Sequence, residues 1–400
     1  MDGYIDSRIT LLQHLFVTRD FLPALTGTAR CHVALARRYP EPMSVSTIAA
    51  RESTRYDAAE DYKIERQSFG YHAADGFFSR LQWQSWLAER CKGRIHVLHC
   101  GGTGVEGRIV RRTHKRLRIP YIVYINAREL NRAREMAKTG SFARRSVRLL
   151  LGDAAGVVAT TDYVAILTRE LMQEIGITQQ PPVAAPGLGA DPQLFGPGRD
   201  TGTLRQRWGI RRAPIVLTVA RLAPHRGQDT GIEALALLRD EFPNLRYVLV
   251  GEGSDEARLR NIAADMNVMD RVGFAGPMRD DELPEAYATS TIYLDASRAD
   301  PDAAVAANGI SLLEAQATAL PVVTSDAGGV RSVVREGESG IIVEPASAQS
   351  IADALALLLR DADMRGKMGM AGREAVETRM NWSRVAHDTA KFVRECVANG

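Results

Sequence analysis

No apolar run in the 400-residue chain approaches the length of a membrane helix. Stretches such as residues 215–220 and 341–343 are strand length at most, whereas crossing a bilayer takes about 20 consecutive apolar residues. Its four cysteines, Cys31, Cys91, Cys100 and Cys396, are scattered without C-x-x-C spacing, which supports neither a disulfide framework nor a zinc site. The start, MDGYIDSRITLLQHLF, carries Asp2 and Asp6 and lacks a basic segment followed by an uninterrupted apolar one, so no signal peptide is expected. A reducing cytoplasm is the expected compartment. The net charge of +3 is too small to imply a nucleic-acid partner. There is no short internal repeat, no low-complexity tract, and no G-x-G-x-x-G that opens the fold. The GGTG at residues 101–104 follows an internal strand, which argues against an NAD-dependent dehydrogenase.

What is present is an ordinary globular composition, 45% hydrophobic and 25% charged, over a length that exceeds one core and predicts two domains. Strand and helix patterns alternate, the signature of parallel sheets. In the first half strands are expected at residues 8–12, 95–99, 121–125, 156–159 and 183–185, with helices at 29–38 and 163–175. Residues 195–214, FGPGRDTGTLRQRWGIRRAP, are rich in glycine, proline and charge and place a domain junction there. The second half restarts with strands at 215–220, 246–250, 272–274, 292–294, 322–324 and 340–343, and helices at 229–242 and 255–266. The expected fold class is α/β, two Rossmann-like doubly wound domains facing a central cleft.

Residues 309–323, GISLLEAQATALPVV, join a glycine turn, a helix start, a carboxylate one turn in and a Pro-led apolar strand. Gly309 and Ile310 open a helix whose first N–H groups and dipole favour a diphosphate, and Glu314 is placed to accept from ribose hydroxyls. A plain buried αβ unit would carry the same apolar residues. Arg221 ends a strand and Arg226 follows just before Gly227, two cations placed to neutralise a diphosphate. Gly251, Gly253 and Gly276 sit in loops at strand ends, which border the nucleotide crevice of α/β sheets. Two features lie outside this set. Arg108, Arg111, Arg112, His114, Lys115, Arg116 and Arg118 crowd one expected helix, either a solvated surface or a face for anionic lipid or an anionic acceptor. In FFSRLQWQSWLAERCKGR, Phe77, Phe78, Leu81, Trp83, Trp86 and Leu87 mix with Arg80, Arg90, Lys92 and Arg94, as in a helix at a membrane interface or one packed in a core. His96 and His99 fall on opposite faces of a strand, so structural or acceptor-side roles are expected rather than metal ligation.

Taken in order, ARLAPHRG, VGEGSDEARL, VGFAGPM, GISLLEAQATALPVV and DAGGVRSVVREGESGIIV resemble the donor domain of retaining glycosyltransferases of family 4 (glycosyl transferases group 1), which adopt the GT-B fold. The first half is similar in FLPALTGTARCHVALARRYP, HVLHCGG and IPYIVYINARELNRAR, and NWSRVAHDTAKFVREC resembles the family's final helix, which crosses back onto the first domain. The resemblance implies an acceptor-binding domain at 1–195, a donor-binding domain at 196–378 and the crossing helix at 379–400. It implies sugar transfer from a UDP- or GDP-sugar to a hydroxyl of a glycan, lipid-linked or small-molecule acceptor, with retention, no metal and no cofactor beyond that co-substrate.

By the same resemblance Arg221 and Arg226 hold the diphosphate, Asn126 lies near the reacting sugar, and Gly27, Gly253, Phe274, Asn308, Gly309, Ile310 and Glu314 bind the donor. Arg226 stands where the family usually has lysine, Asn126 where many members have histidine, Thr26 where the first loop has glycine, and Ala306 where the first acid of the E-x-x-x-x-x-x-x-E motif belongs. These departures leave two readings, an active branch used in polysaccharide, glycolipid or natural-product synthesis or a nucleotide-sugar-binding partner that has lost transfer, and a sugar-nucleotide epimerase, which can share this two-domain fold, is a further alternative. The expected location is the cytoplasm, with peripheral contact at the inner membrane face through the basic first domain.

Overall fold

The computed structural model describes residues 11–23, 26–69, 72–210, 212–298 and 309–398. The chain divides into two units. Unit 1 comprises residues 1–160, 164–186 and 385–400, and unit 2 comprises residues 161–163 and 187–384.

Unit 1 is built on a seven-stranded sheet of β1 (His14–Val17), β2 (Met43–Ile48), β3 (Ile64–Gln67), β4 (Val97–Cys100), β5 (Tyr121–Ile125), β6 (Gly156–Ala159) and β7 (Val183–Ala184). The spatial order is β3-β2-β1-β4-β5-β6-β7 and every pairing is parallel. Helices α1 (Gly27–Arg38), α2 (Ser53–Asp57), α3 (Phe77–Cys91), α4 (Val105–Leu117), α5 (Ala127–Thr139), α6 (Ser141–Gly152) and α7 (Asp162–Glu174) connect them. Central strands such as β5 are buried along their whole length, as expected where helices cover both faces of a parallel sheet.

The first strand differs from expectation. Residues 8–10 lie outside the described residues, and the strand runs from His14 to Val17. His14 belongs to it because its imidazole is fully partnered in the interior, with Nε2 2.7 Å from Glu41 Oε2 and Nδ1 2.8 Å from His99 Nε2. His99 continues the chain through Nδ1 to the Tyr124 hydroxyl at 2.8 Å. Buried polar groups are tolerated when bonded in this way, so histidine at both strand positions is compatible with the core. Burial lowers the pKa of both imidazoles. For His99 it is driven well below the ordinary range and the neighbouring His14 adds to the effect, while for His14 the Glu41 carboxylate opposes it.

Two strands carried no apolar run to announce them. β2, MSVSTI, is buried throughout although half its residues are hydroxylated, and β3, IERQ, is a half-exposed edge strand.

Unit 2 contains β8 (Ile215–Val219), β9 (Arg246–Val250), β10 (Val272–Gly276), β11 (Ile292–Asp295), β12 (Val322–Ser325) and β13 (Gly340–Val343) in the order β10-β9-β8-β11-β12-β13, again all parallel. Its helices are α8 (Thr203–Arg207), α9 (Gln228–Leu237), α10 (Glu256–Asp265), α11 (Leu283–Ala288), α12 (Ile310–Ala317), α13 (Ala348–Arg360) and α14 (Ala362–Thr378). The strand order reverses direction between β8 and β11, as it does between β1 and β4 in unit 1. Ligands of open α/β sheets bind beyond the carboxyl ends of the strands at such a reversal. The last helix, α15 (Trp382–Ala398), places Ala386, Ala390, Val393 and Cys396 in the core of unit 1 beside Phe16, Val97 and Val158.

Among the described residues no helix is long and apolar enough to cross a membrane.

Candidate active site

The carboxyl edge of the unit 2 sheet gathers most of the site residues expected in this half. β8 ends just before Arg221, which is exposed, and a short 3-10 turn, Pro224–Arg226, carries Arg226 to the start of α9. Gly227 then turns the chain at φ +68°, in the left-handed region, and a β-carbon there would overlap the carbonyl oxygen of Ala296. Only glycine fits both demands, so the loop that bears the two arginines is held tightly against the loop after β11.

The same two loops are tied by Arg298. Its backbone N–H donates to the His225 carbonyl at 2.9 Å, and its guanidinium donates to the Pro224 carbonyl and to Asp229. Asp229 also accepts from Arg258 at 2.9 Å. Burial would raise the pKa of Asp229, but the bonds from Arg298 and Arg258 outweigh it and hold the carboxyl below its ordinary value.

The charges on this edge are therefore unequally served. Arg258 and Arg298 are neutralised by Asp229 and Asp255. Among the described residues Arg221 and Arg226 have no carboxylate within ion-pairing distance, and the Nε of Arg226 is buried with no hydrogen-bond partner. A buried guanidinium nitrogen without an acceptor is costly in the free protein and is satisfied by an incoming anion.

Opposite these loops α12 begins at Ile310, with Gly309 as its N-cap at φ +65°, a residue that has no side chain to cap the first N–H groups. A pocket opens here, lined by Asp295, Ser297, Gly309, Leu312, Thr324 and Ser325. Ser325 Oγ is buried without a hydrogen-bond partner among the described residues, and Asp295 accepts from the Ser297 amide at 3.0 Å. Glu314 lies one turn into α12, is only 5% exposed, and accepts a 2.7 Å hydrogen bond from the Tyr287 hydroxyl. Tyr287 was not legible as a site residue. It stands on α11, packs edge-on against Phe195, and fixes the carboxylate from behind.

The remaining expected residues take other places. Gly253 packs against the backbone of Leu222, whose amide donates to the Glu252 carbonyl at 2.9 Å, so it braces the Arg221 loop. Phe274 lies on the outer strand β10, with the Arg260 guanidinium 4.1 Å from its ring centre. Asn308 and Ala306 lie outside the described residues.

In unit 1 Asn126 caps α5. Its Oδ1 accepts from the Glu129 amide at 2.9 Å and its Nδ2 donates to Thr28 Oγ1 at 3.1 Å, which leaves one amide hydrogen for a ligand. Gly27 is the first residue of α1, and Thr26, standing where a glycine was anticipated, caps that helix through a 3.1 Å bond to the Ala29 amide.

On α3 the face with Trp83, Leu87, Ala88 and Cys91 is buried, whereas Phe77 and Phe78 are 63% and 83% exposed. The basic face of α4 is partly neutralised, Arg111 and Lys115 both pairing with Asp153.

The chain is similar to known proteins in sequence and in fold. Residues 200–375 match the family described as Glycosyl transferases group 1. A GDP-mannose-dependent alpha-(1-6)-phosphatidylinositol monomannoside mannosyltransferase of Mycobacterium tuberculosis is 34% identical over 263 residues, 62% of this chain and 64% of that protein. A D-inositol 3-phosphate glycosyltransferase of Corynebacterium glutamicum is 32% identical over 257 residues, 61% of this chain and 59% of that protein. The alignments thus span less than two thirds of either relative. The solved structure of Anabaena HepE in complex with UDP and glucose superposes with a TM-score of 0.76 at 18% identity, over 96% of this chain and 99% of that one, and shows the shared GT-B fold. Residues 200–375 thus match the glycosyl transferases group 1 family, within a chain of GT-B fold.

Proposed function

We propose that the protein transfers a hexosyl group from a nucleotide-diphosphate sugar to an acceptor hydroxyl, with retention at the anomeric carbon. The observation that carries this reading is the pair Arg221 and Arg226, without carboxylate partners among the described residues at the reversal point of the unit 2 sheet while the neighbouring arginines are neutralised.

In this reading the donor diphosphate rests on the two guanidinium groups and on the amides of Ile310 and its neighbours at the start of α12. Glu314, oriented by Tyr287, accepts from the donor ribose. The acceptor oxygen approaches on the face from which the diphosphate departs. Its bond to the anomeric carbon forms as the bond to the phosphate oxygen breaks, and that phosphate oxygen takes the acceptor proton. Arg221 and Arg226 stabilise the growing charge, which removes the need for a divalent cation at the leaving group. The donor base is guanine or uracil, in keeping with the GDP-mannose and UDP in the names of the relative and the neighbour. Acceptor binding falls to unit 1, donor binding to unit 2, and the reaction belongs in the cytoplasm, in glycolipid, polysaccharide or natural-product synthesis.

The test is a release assay with UDP-, GDP- and ADP-sugars in the presence of chelator, with and without a mixed glycan and lipid extract. Release that depends on one donor and rises with acceptor is the expected result. Nucleotide binding with no release from any donor overturns transfer. It favours a silent binding subunit, the reading to which alanine at 306 points.

Peripheral contact with anionic membrane is also proposed, carried by the exposed Phe77 and Phe78 beside the basic face of α4. Replacing both by serine is expected to reduce co-sedimentation with phosphatidylglycerol vesicles at least about fivefold, an estimate from the apolar area withdrawn. Unchanged co-sedimentation removes this contact.

A further inference from the structure

The GGTG loop of residues 101–104, excluded as a dinucleotide motif, leads from β4 into α4 at the reversal point of the unit 1 sheet. Three arginines gather there from three helices: Arg80 in the first turn of α3, Arg108 in the first turn of α4 and Arg132 in α5. All three are half-buried. The Arg132 guanidinium lies over Gly104, so that a β-carbon there would stand 2.5 Å from one of its terminal nitrogens.

Among the described residues none of the three has a carboxylate within ion-pairing distance, and Arg108 Nε is buried without a hydrogen-bond acceptor. The nearby acids are already engaged. Asp75 and Glu106 each stand 3.1 Å from Arg19, Glu129 accepts from the amide and hydroxyl of Thr103, and Arg128 is matched by Asp20. Burial lowers the pKa of Arg108 and the charges of Arg80 and Arg132 lower it further, while Asp75 and Glu106 oppose them.

Gathering three like charges in a half-dry place is unfavourable unless an anion completes it, and guanidinium forks match phosphate oxygens in pairs. We propose that Arg80, Arg108 and Arg132 form a site for a phosphate group carried by the acceptor. The proposal rests on the transferase reading for the word acceptor, and on the arginines alone for the phosphate. The names of both relatives contain a phosphorylated inositol, the chemistry such a site would take.

The experiment uses the full chain with Arg221→Gln and Arg226→Gln, which removes the anion site proposed in unit 2. Inorganic phosphate titrated into this background by calorimetry is expected to bind. Adding Arg108→Gln, or separately Arg132→Gln, should weaken it at least about tenfold with the circular dichroism spectrum unchanged. Equal binding with and without the triad, or none in the background, overturns the site.

Vesicles of phosphatidylcholine with and without phosphatidylinositol then separate the sources. Retention on phosphatidylinositol that Arg108→Gln abolishes supports a lipid-borne phosphate, and phosphate binding without such retention supports a soluble one. Loss of the site with nucleotide release intact sinks this inference alone. Phosphate binding at the triad with no release from any donor sinks the transferase reading instead.

Discussion

Changing Arg226 to alanine is expected to lower kcat/KM for transfer about 100- to 1,000-fold, the usual cost of removing one group that stabilises a developing oxyanion. The fold should be unaffected. Arg226 makes no ion pair among the described residues, and its Nε is buried without an acceptor, so alanine removes an unsatisfied polar group along with the charge. The melting temperature of the free protein should therefore stay level or rise, and the stabilisation given by added nucleotide diphosphate should shrink. This combination distinguishes a ligand-binding arginine from a structural one. Replacing Arg258, which holds Asp229, should instead lower the melting temperature. Lysine at 226 keeps the charge without the fork and should recover most of the activity. Full activity in Arg226→Ala would remove the residue from the site.

The second large effect concerns pH. His14 and His99 are buried side by side, and burial holds both below the ordinary imidazole pKa of 6.5. The unfolded chain takes up protons at these residues as pH falls through about 6.5, and the folded chain does so only at lower pH. Their contribution to stability is therefore complete above that value and is lost below it. Between pH 7 and pH 5 the loss is larger for His99 than for His14, whose Glu41 partner favours its charged form, while His96 and Arg394 act against it. Glu106, whose carboxyl is raised by burial, works in the opposite sense. The histidine share is accordingly read as the difference between wild type and His99→Gln. Urea midpoints should fall from pH 7 to pH 5 in wild type and fall less in the variant. Parallel profiles would show that the buried pair does not govern the acid limit.

Several apolar strands of both units were legible almost to the residue, because a strand covered on both faces must be apolar throughout, whereas the helix expected at 229–242 ends at Leu237. Strands β5, β6, β9 and β13 start and stop where expected. The failures have a common cause. β1, β2 and β3 carry histidine, serine and arginine whose polar groups are satisfied by partners distant in sequence, such as Glu41 for His14, and no local pattern encodes a partner 27 residues away. The site divides in the same way. The placement of Arg221, Arg226, Gly309 and Glu314 on one sheet edge follows from strand and helix ends, which sequence marks with glycine. Tyr287 behind Glu314, and the Asp229 that leaves two arginines unserved by neutralising two others, depend on tertiary contacts and had no signal along the chain.

The return of α15 to unit 1 bears on the order in which the protein can be made. Residues 385–398 are synthesised after all of unit 2, yet four of their side chains fill the interior of unit 1, and Gly156 on β6 has no room for a β-carbon because Phe392 and Cys396 already lie against it. Unit 1 therefore emerges from the ribosome with a gap along one face of its sheet and waits there, while unit 2, whose residues are nearly contiguous, can finish folding. A messenger RNA cut short within the codons of α15 would yield a chain with a complete second unit and an open first one.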